Sequence, residues 1–505
     1  MERLPLFTRA LLGRPRKGLP ARYDVRWEPG LTVPAADGTP LTADHYAPVT
    51  DEPCPALLVR SPYGRGFPFG YLYGALFAEQ GFHVLVQSTH GGLSWAREPA
   101  DGQAAVAWLR RQPWFTGEFG TVGPSYLGYV QWALALDPPP GWRAAVIQVG
   151  AGDPYDFFWG EHPFGLERAL VGGLARHQGR GALTYGRAIL RMRRHLRHAE
   201  RAVPLLDSYP AALGGRYPAF EEWLTHPERD DPYWADKDVT AAADHLDVPV
   251  ALTAGWHDIL LDQVLGQYAR LRAAGREPGL LIGPWTHTSA LDRGWPQVFD
   301  QALRTLRGEA TGVRVHVGGA DEWRDLPHWP PAAHERALRL IEAPASFRYD
   351  PADPTPSIGG QLQSATQGAR DNRRLERRGD VLTFDTAPLT EAVEVIGPVR
   401  ARMRADTTAV SGDLFARLCD VDGAGRSVNV TDGIARITDG TTVVPMSAAA
   451  HRFRPGHRIR LQVSGGAHPR FLRNYGTGEP VATATRMVAT TTTVHPESVL
   501  LLPVV

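Results

Sequence analysis

The chain has 505 residues, too many for one compact core, so about three domains are expected. Lys plus Arg and Asp plus Glu number 54 each, and this zero formal charge leaves no global field to draw nucleic acid or an anionic membrane. Two distant cysteines, Cys54 and Cys419, no apolar run of about 18 residues, and a start broken by Arg9, Arg14 and Arg16 lead us to expect a cytoplasmic protein without a signal peptide or membrane span.

Residues 23–27 and 41–46 read as antiparallel strands. The apolar run 56–60 ends in Ser61-Pro62-Tyr63-Gly64, and helical spacing over 73–80 stops at Gly81, a natural C-cap. A buried strand at 84–86 and a helix over 104–111 follow. Thr121-Val122 then runs into a Gly-Pro-Ser-Tyr turn, and Leu127, Val130 and Leu134 keep helical spacing straight after it. Another apolar run covers 144–149. Short buried strands alternating with helices predict an α/β fold with a mostly parallel sheet covered on both faces.

Over 151–240 strand signals vanish and helical, aromatic- and Arg-rich sequence takes over. Arg187, Arg191, Arg193, Arg194, Arg197 and Arg201 read as a solvated helix face rather than a nucleic-acid surface. The sheet resumes at 248–253, which leads into Gly255-Trp256-His257-Asp258; helical spacing then holds from Leu261 to Leu271. The run 280–282 leads into Gly283-Pro284-Trp285-Thr286-His287, and 313–317 is one more strand. Past Pro344 the pattern switches to period two, with Ile459, Leu461 and Val463 set against Arg458, Arg460 and Gln462, as in an antiparallel β-sandwich. The expected division is a core over 1–150 and 241–344, a helical cap over 151–240, and a sandwich over 345–505.

A serine at a sharp strand-to-helix turn has its hydroxyl pushed out of the sheet's carboxyl edge, with the N–H groups of the new helix beside it. Ser125, Asp258 and His287 each stand just beyond a predicted parallel strand, so all three fall on one edge. Their order is serine, acid, histidine. Neutral imidazole is the side chain poised to take a hydroxyl proton and return it, and a buried carboxylate fixes its tautomer. The Tyr126 N–H is one candidate donor to an oxyanion; the Tyr63 hydroxyl is either a second donor or part of the core. The chain has no H-E-x-x-H, so neither a metal nor another cofactor is expected.

Arg60-Ser61-Pro62-Tyr63, Gln112-Pro113-Trp114, Gly123-Pro124-Ser125-Tyr126-Leu127-Gly128, Ala254-Gly255-Trp256-His257-Asp258, Gly283-Pro284-Trp285-Thr286-His287, Asp321-Glu322-Trp323-Arg324 and Arg470-Phe471-Leu472-Arg473-Asn474 resemble, in order, the cocaine-esterase and X-Pro dipeptidyl-peptidase group of serine hydrolases. The resemblance implies an α/β-hydrolase core, an inserted helical cap and a C-terminal jelly roll. It also implies Ser125 as nucleophile, Asp258 and His287 as its partners, Tyr63 with the Tyr126 N–H as oxyanion donors, and Trp159 as an aromatic lining the acyl pocket. Where relatives carry Asp-Thr-Arg-Gly this chain has Ser88-Thr89-His90-Gly91, as if an ion pair had been lost.

The expected activity is hydrolysis of a small-molecule carboxylic ester through an acyl-enzyme. The nearest alternative is a peptidase, amidase or α-amino-acid ester hydrolase on the same residues, in which Asp153, Asp156 or Glu161 would hold a substrate ammonium. A non-catalytic protein that binds through its jelly roll is a remote one. No nucleic-acid or membrane partner is expected, and a homo-oligomer stays open.

Overall fold

In the computed structural model, described over residues 2–3, 20–160, 163–174, 187, 190–191, 194–195 and 202–505, the chain builds one large mixed sheet and a second, β-rich part. Arg9, Arg14, Arg16, Glu161, Arg193, Arg197 and Arg201 lie outside the described residues. The large sheet comprises β1 (Glu2–Arg3), β2 (Val25–Pro34), β3 (Pro40–Pro48), β4 (Ala56–Ser61), β5 (His83–Ser88), β6 (Phe119–Pro124), β7 (Trp142–Gln148), β8 (Val250–His257), β9 (Gly279–Thr286), β10 (Val313–Val317) and β11 (Glu322–Leu326). Its spatial order is β1-β2-β3-β5-β4-β6-β7-β8-β9-β10-β11. The strands from β5 across to β10 run parallel, with antiparallel pairs at both ends.

Both faces of this sheet are covered, which is why β4 is buried at every position and carries no polar alternation. Leu57 and Val59 pack on one side with Phe299 and Leu303 of helix Trp295–Leu306. Leu58 packs on the other side with Tyr129 and Val130 of helix Tyr126–Ala135. Cβ vectors that alternate along each strand thus feed two apolar layers.

The helix expected over 73–80 starts earlier, with a π-helical turn at Gly70–Ala75 that continues into Leu76–Ala78. Gly70 and Gly74 hide its beginning from periodicity, yet they are needed there. A Cβ on either would stand 2.5 Å from the Tyr46 side chain.

Between β7 and β8 the chain leaves the sheet and forms helices Pro154–Phe158, Leu166–Gly173, Leu205–Leu213 and Pro218–Thr225. Phe158, Phe164, Tyr209, Phe220 and Trp223 share their apolar centre, which Leu472 and Ala482 of the C-terminal part also enter.

The C-terminal part is two antiparallel sheets. One orders His334–Leu338, Val499–Val504, Val393–Thr407, Thr490–Val494 and Ala345–Tyr349, with Thr441–Phe453 also paired to Val393–Thr407. The other orders Val381–Asp385, Arg458–Ser464, Asp413–Val421 and Ser427–Arg436. Val395, Val399, Leu414, Leu418, Leu461 and Val463 meet between them.

One strand of the sandwich precedes the boundary expected at 345. His334–Leu338 pairs with Val499–Val504 and belongs to this sandwich. Its exposed, polar His-Glu-Arg-Ala-Leu sequence shows no buried face, so it carries no alternation to read. Gln462, expected to face outward, is buried and donates to Glu376 Oε1. The sandwich docks on the end of β10, where Gly318 exchanges backbone hydrogen bonds with Ala450 (2.9 Å) and Arg452 (2.8 Å). Among the described residues no helix is long and apolar enough to cross a membrane.

Candidate active site

From β4 the chain moves to β5 on one side and then returns to β6 on the other. Loops that leave adjacent strands in opposite directions open a crevice at the carboxyl edge, the usual ligand position of an open parallel sheet. Tyr63 follows β4 and Ser125 follows β6, so both residues flank this crevice.

Ser125 is the N-cap of helix Tyr126–Ala135 and holds φ 58° and ψ −120°, a strained conformation for a side-chain-bearing residue. The turn closes only because its neighbours are small. A Cβ on Gly123 would meet Leu127 Cβ at 2.4 Å, and one on Gly128 would meet Gly150 Cα at 2.8 Å. The strain is held by the next strand: the Ser125 N–H donates to the carbonyls of Gln148 (2.9 Å) and Val149 (3.1 Å).

Asp258 directly follows β8 and His287 directly follows β9, and their side chains stand in one hydrogen-bonded line with Ser125. His287 Nδ1 lies 2.9 Å from Asp258 Oδ1, and His287 Nε2 lies 3.0 Å from Ser125 Oγ. Asp258 is wholly buried and its Oδ1 also accepts the Leu260 N–H at 2.9 Å. An ionised carboxylate only accepts, so Nδ1 carries the imidazole proton and Nε2 is left to accept from the serine hydroxyl. The base loop is itself pinned, because Ser289 Oγ accepts the Thr286 N–H at 2.8 Å. The Tyr63 hydroxyl donates to Ser125 Oγ at 3.3 Å. The Tyr126 N–H is the first of its helix, one of those a helix leaves without an intrahelical acceptor. Its phenol donates to buried Glu98 Oε1 at 2.8 Å; burial, and then the Glu98 charge, push that phenol well above its ordinary range.

Family comparison decides the lineage. The family model of X-Pro dipeptidyl-peptidase (S15 family) matches residues 37–289, and that of the X-Pro dipeptidyl-peptidase C-terminal non-catalytic domain matches residues 307–499. The chain belongs to the S15 family. Within it, this S15 chain is 30% identical to a cocaine esterase of Rhodococcus, over 90% of its own length and 93% of the relative's. It is a serine hydrolase. Among solved structures it is similar to an α-amino-acid ester hydrolase, with TM-score 0.81, 20% identity and 99% of each chain covered. It is also similar to an aminopeptidase of a marine sediment Thaumarchaeota archaeon, with TM-score 0.79, 20% identity, and 97% of this chain and 98% of that one covered. These two likenesses establish the fold.

Of the six site residues named from sequence, Tyr63, Ser125, His287 and Asp258 stand in one hydrogen-bonded line; Tyr126 follows Ser125 with its phenol turned to Glu98, and Trp159 makes its contacts within the cap. Its indole N–H donates to the Trp223 carbonyl at 2.7 Å, and its ring packs on Phe164 with centroids 5.0 Å apart. The small cavity it lines, with Phe164, Asp413, Arg436 and Leu472, lies between cap and sandwich and contains none of Ser125, Asp258 and His287. The cap needs large aromatics for its own core, and Trp159 supplies one.

His90 has an acidic neighbour of its own: its Nε2 stands 3.1 Å from the buried carboxylate of Asp101. Neither the Arg60–Glu98 pair nor the His45–His83 contact is apparent from the sequence. In the latter, His45 Nε2 and His83 Nδ1 are 3.0 Å apart, and burial lowers His45 to about 3. Among the described residues no group of three or more His, Cys, Asp or Glu side chains could hold a metal ion.

Proposed function

We propose that this S15 chain hydrolyses carboxylic esters of uncharged acyl groups through an acyl-enzyme on Ser125. The observation that carries the proposal is the unbroken line Tyr63–Ser125–His287–Asp258, in which the serine hydroxyl both accepts from a phenol and donates to an imidazole. In the first half-reaction Ser125 Oγ bonds the acyl carbon as its proton passes to His287 Nε2. The oxyanion that forms is met by the Tyr63 hydroxyl and the Tyr126 N–H. Collapse breaks the ester C–O bond, and His287 returns the proton to the departing alkoxide. Water then attacks the acyl-enzyme, gives its proton to His287, and the second collapse releases the acid and restores Ser125. Asp258 keeps the Nδ1–H tautomer throughout and stabilises the imidazolium.

The preference for an uncharged acyl group rests on the cap. Among the described residues, Asp153 and Asp156 are the carboxylates at its entry, and both are already paired with Arg229, at 2.9 and 2.8 Å. Asp153 Oδ1 also caps helix Pro154–Phe158 by accepting the Tyr155 N–H. An α-ammonium entering there would lose its hydration and find those anions neutralised. The 30% identity with a cocaine esterase supports the same direction. A cytoplasmic location is in keeping with Cys54 and Cys419, which are both buried and unbonded.

Hydrolysis rates over matched aryl esters, α-aminoacyl esters, anilides and X-Pro anilides test the proposal. We expect neutral esters to lead the amine-bearing substrates by at least about tenfold in kcat/KM, the equivalent of about 1.4 kcal/mol. A lead for the amine-bearing substrates would replace this reading with an aminopeptidase-like one.

A further inference from the structure

A buried ion pair stands behind the two residues to which the oxyanion is assigned. Arg60 lies near the end of β4, three positions before Tyr63, and is 3% exposed; Glu98 opens helix Glu98–Leu109 and is fully buried. Arg60 Nη2 contacts Glu98 Oε2 at 2.8 Å, and Arg60 Nη1 donates to the Glu98 carbonyl at 3.2 Å. Arg60 Nε donates to Gln87 Oε1 at 3.2 Å, which ties the guanidinium to β5 as well. The other carboxylate oxygen of Glu98 accepts from the Tyr126 phenol at 2.8 Å and from the Ser94 hydroxyl at 3.1 Å. The chain beyond Arg60 is held in turn, because the Tyr63 N–H donates to Ser61 Oγ at 3.1 Å.

Burying two charges is costly, and a well-packed apolar pair of the same volume often gives equal or greater stability. Stability alone is therefore a poor reason for this pair. Its geometry offers a better one: it joins the strand that presents the Tyr63 hydroxyl to the helix start that presents the Tyr126 N–H. We propose that Arg60 and Glu98 are positioning residues that set the spacing of the two oxyanion donors, with the Tyr126 phenol as the link. This accounts for a tyrosine directly after the nucleophile: phenylalanine would fill the same buried space but would not reach Glu98. It also provides part of the surroundings needed to keep Ser125 at φ 58°. The inference rests on the oxyanion assignment made above and deepens it.

The test compares Tyr126→Phe with Tyr63→Phe in the full chain. Four quantities are read: kcat and KM on a neutral aryl ester, the inhibition constant of an arylboronic acid, and Tm. The boronate forms a tetrahedral anion on the serine and so reports the oxyanion donors. Removing a donor outright, as in Tyr63→Phe, is expected to cost about 10²–10³-fold in kcat. Misplacing the other donor should cost less: we expect Tyr126→Phe to lower kcat about tenfold and weaken the boronate about tenfold, with KM within twofold of wild type.

Glu98→Gln should move the same quantities in the same direction; because it leaves Arg60 buried without its anion, Tyr126→Phe is the deciding variant if Glu98→Gln does not fold. Wild-type kcat and boronate affinity in Tyr126→Phe, whatever its Tm, would overturn the inference and make the pair merely structural. If Tyr63→Phe keeps its 10²–10³-fold loss in that case, the oxyanion assignment survives the failure. If Tyr63→Phe is also unimpaired, the assignment and the inference both fall.

Discussion

Replacing Asp258 with asparagine separates two jobs of the carboxylate, its charge and its control of the tautomer. In the wild-type chain Oδ1 accepts from both the Leu260 N–H and His287 Nδ1, each at 2.9 Å, while Oδ2 finds no donor among the described residues. An amide therefore has one good orientation, with its carbonyl at the Oδ1 position facing both donors. The reversed amide would set N–H against N–H and leave the buried Leu260 donor unmet, a penalty of about 1–3 kcal/mol. Asp258→Asn thus keeps the Nδ1–H tautomer and loses only the charge that strengthens this hydrogen bond and stabilises the imidazolium. At about 1.5–3 kcal/mol for a hydrogen bond to a charged group, kcat/KM should fall about 10–150-fold. A variant trapped in the wrong tautomer would instead lose about 10⁴-fold. The assay is ester hydrolysis with purified protein, paired with ¹⁵N NMR of the His287 ring to locate the proton. A loss near 10⁴-fold with the proton on Nε2 would show that the amide takes the reversed orientation.

Trp159→Ala removes a buried indole from the cap and should cost about 3–5 kcal/mol in denaturant unfolding while leaving the ester-to-aminoacyl ratio unchanged; an unchanged stability with a collapsed ratio would return Trp159 to the acyl pocket. Arg229→Ala removes the guanidinium that pairs with Asp153 and Asp156 and should raise the relative kcat/KM of α-aminoacyl esters severalfold. No change in that ratio would mean that these carboxylates do not face the acyl group. Burial holds His45 at about 3 and also lowers His83, its ring neighbour. Below about 6.5 the unfolded imidazole of His45 binds a proton that the folded one refuses, so its contribution is complete above that pH and is lost on acidification. Tm of the wild type should therefore fall more steeply from pH 7 to 5 than Tm of His45→Gln, and parallel slopes would contradict this.

Most of the parallel strands were legible because they are short apolar runs cut off by glycine, proline or serine. β4 and β8 meet those terms, and the residues just past such runs are the ones the fold gathers at the edge. Three features were not legible, each for a physical reason. Helix Gly70–Ala75 is opened by glycines whose need is set by Tyr46, a residue on a distant strand. His334–Leu338 is an exposed strand whose pairing is fixed by its partner rather than by any burial pattern of its own. An aromatic at the cap entry reads alike whether it faces a substrate or, as Trp159 does, bonds the Trp223 carbonyl. In a helix as short as Pro154–Phe158 no periodicity tells the two apart. The Arg60–Glu98 pair joins residues 38 positions apart, beyond any local spacing rule.

In the proposed reaction Ser125 becomes the acyl carrier. Incubation of the full chain with an aryl fluorophosphonate, followed by peptide mass spectrometry, tests it most directly. One phosphonyl group should appear per chain, on the peptide that contains Ser125, in step with loss of esterase activity, and Ser125→Ala should take up none while keeping the wild-type Tm. A folded Ser125→Ala protein that is still labelled, or that keeps a tenth of wild-type activity, would contradict the account.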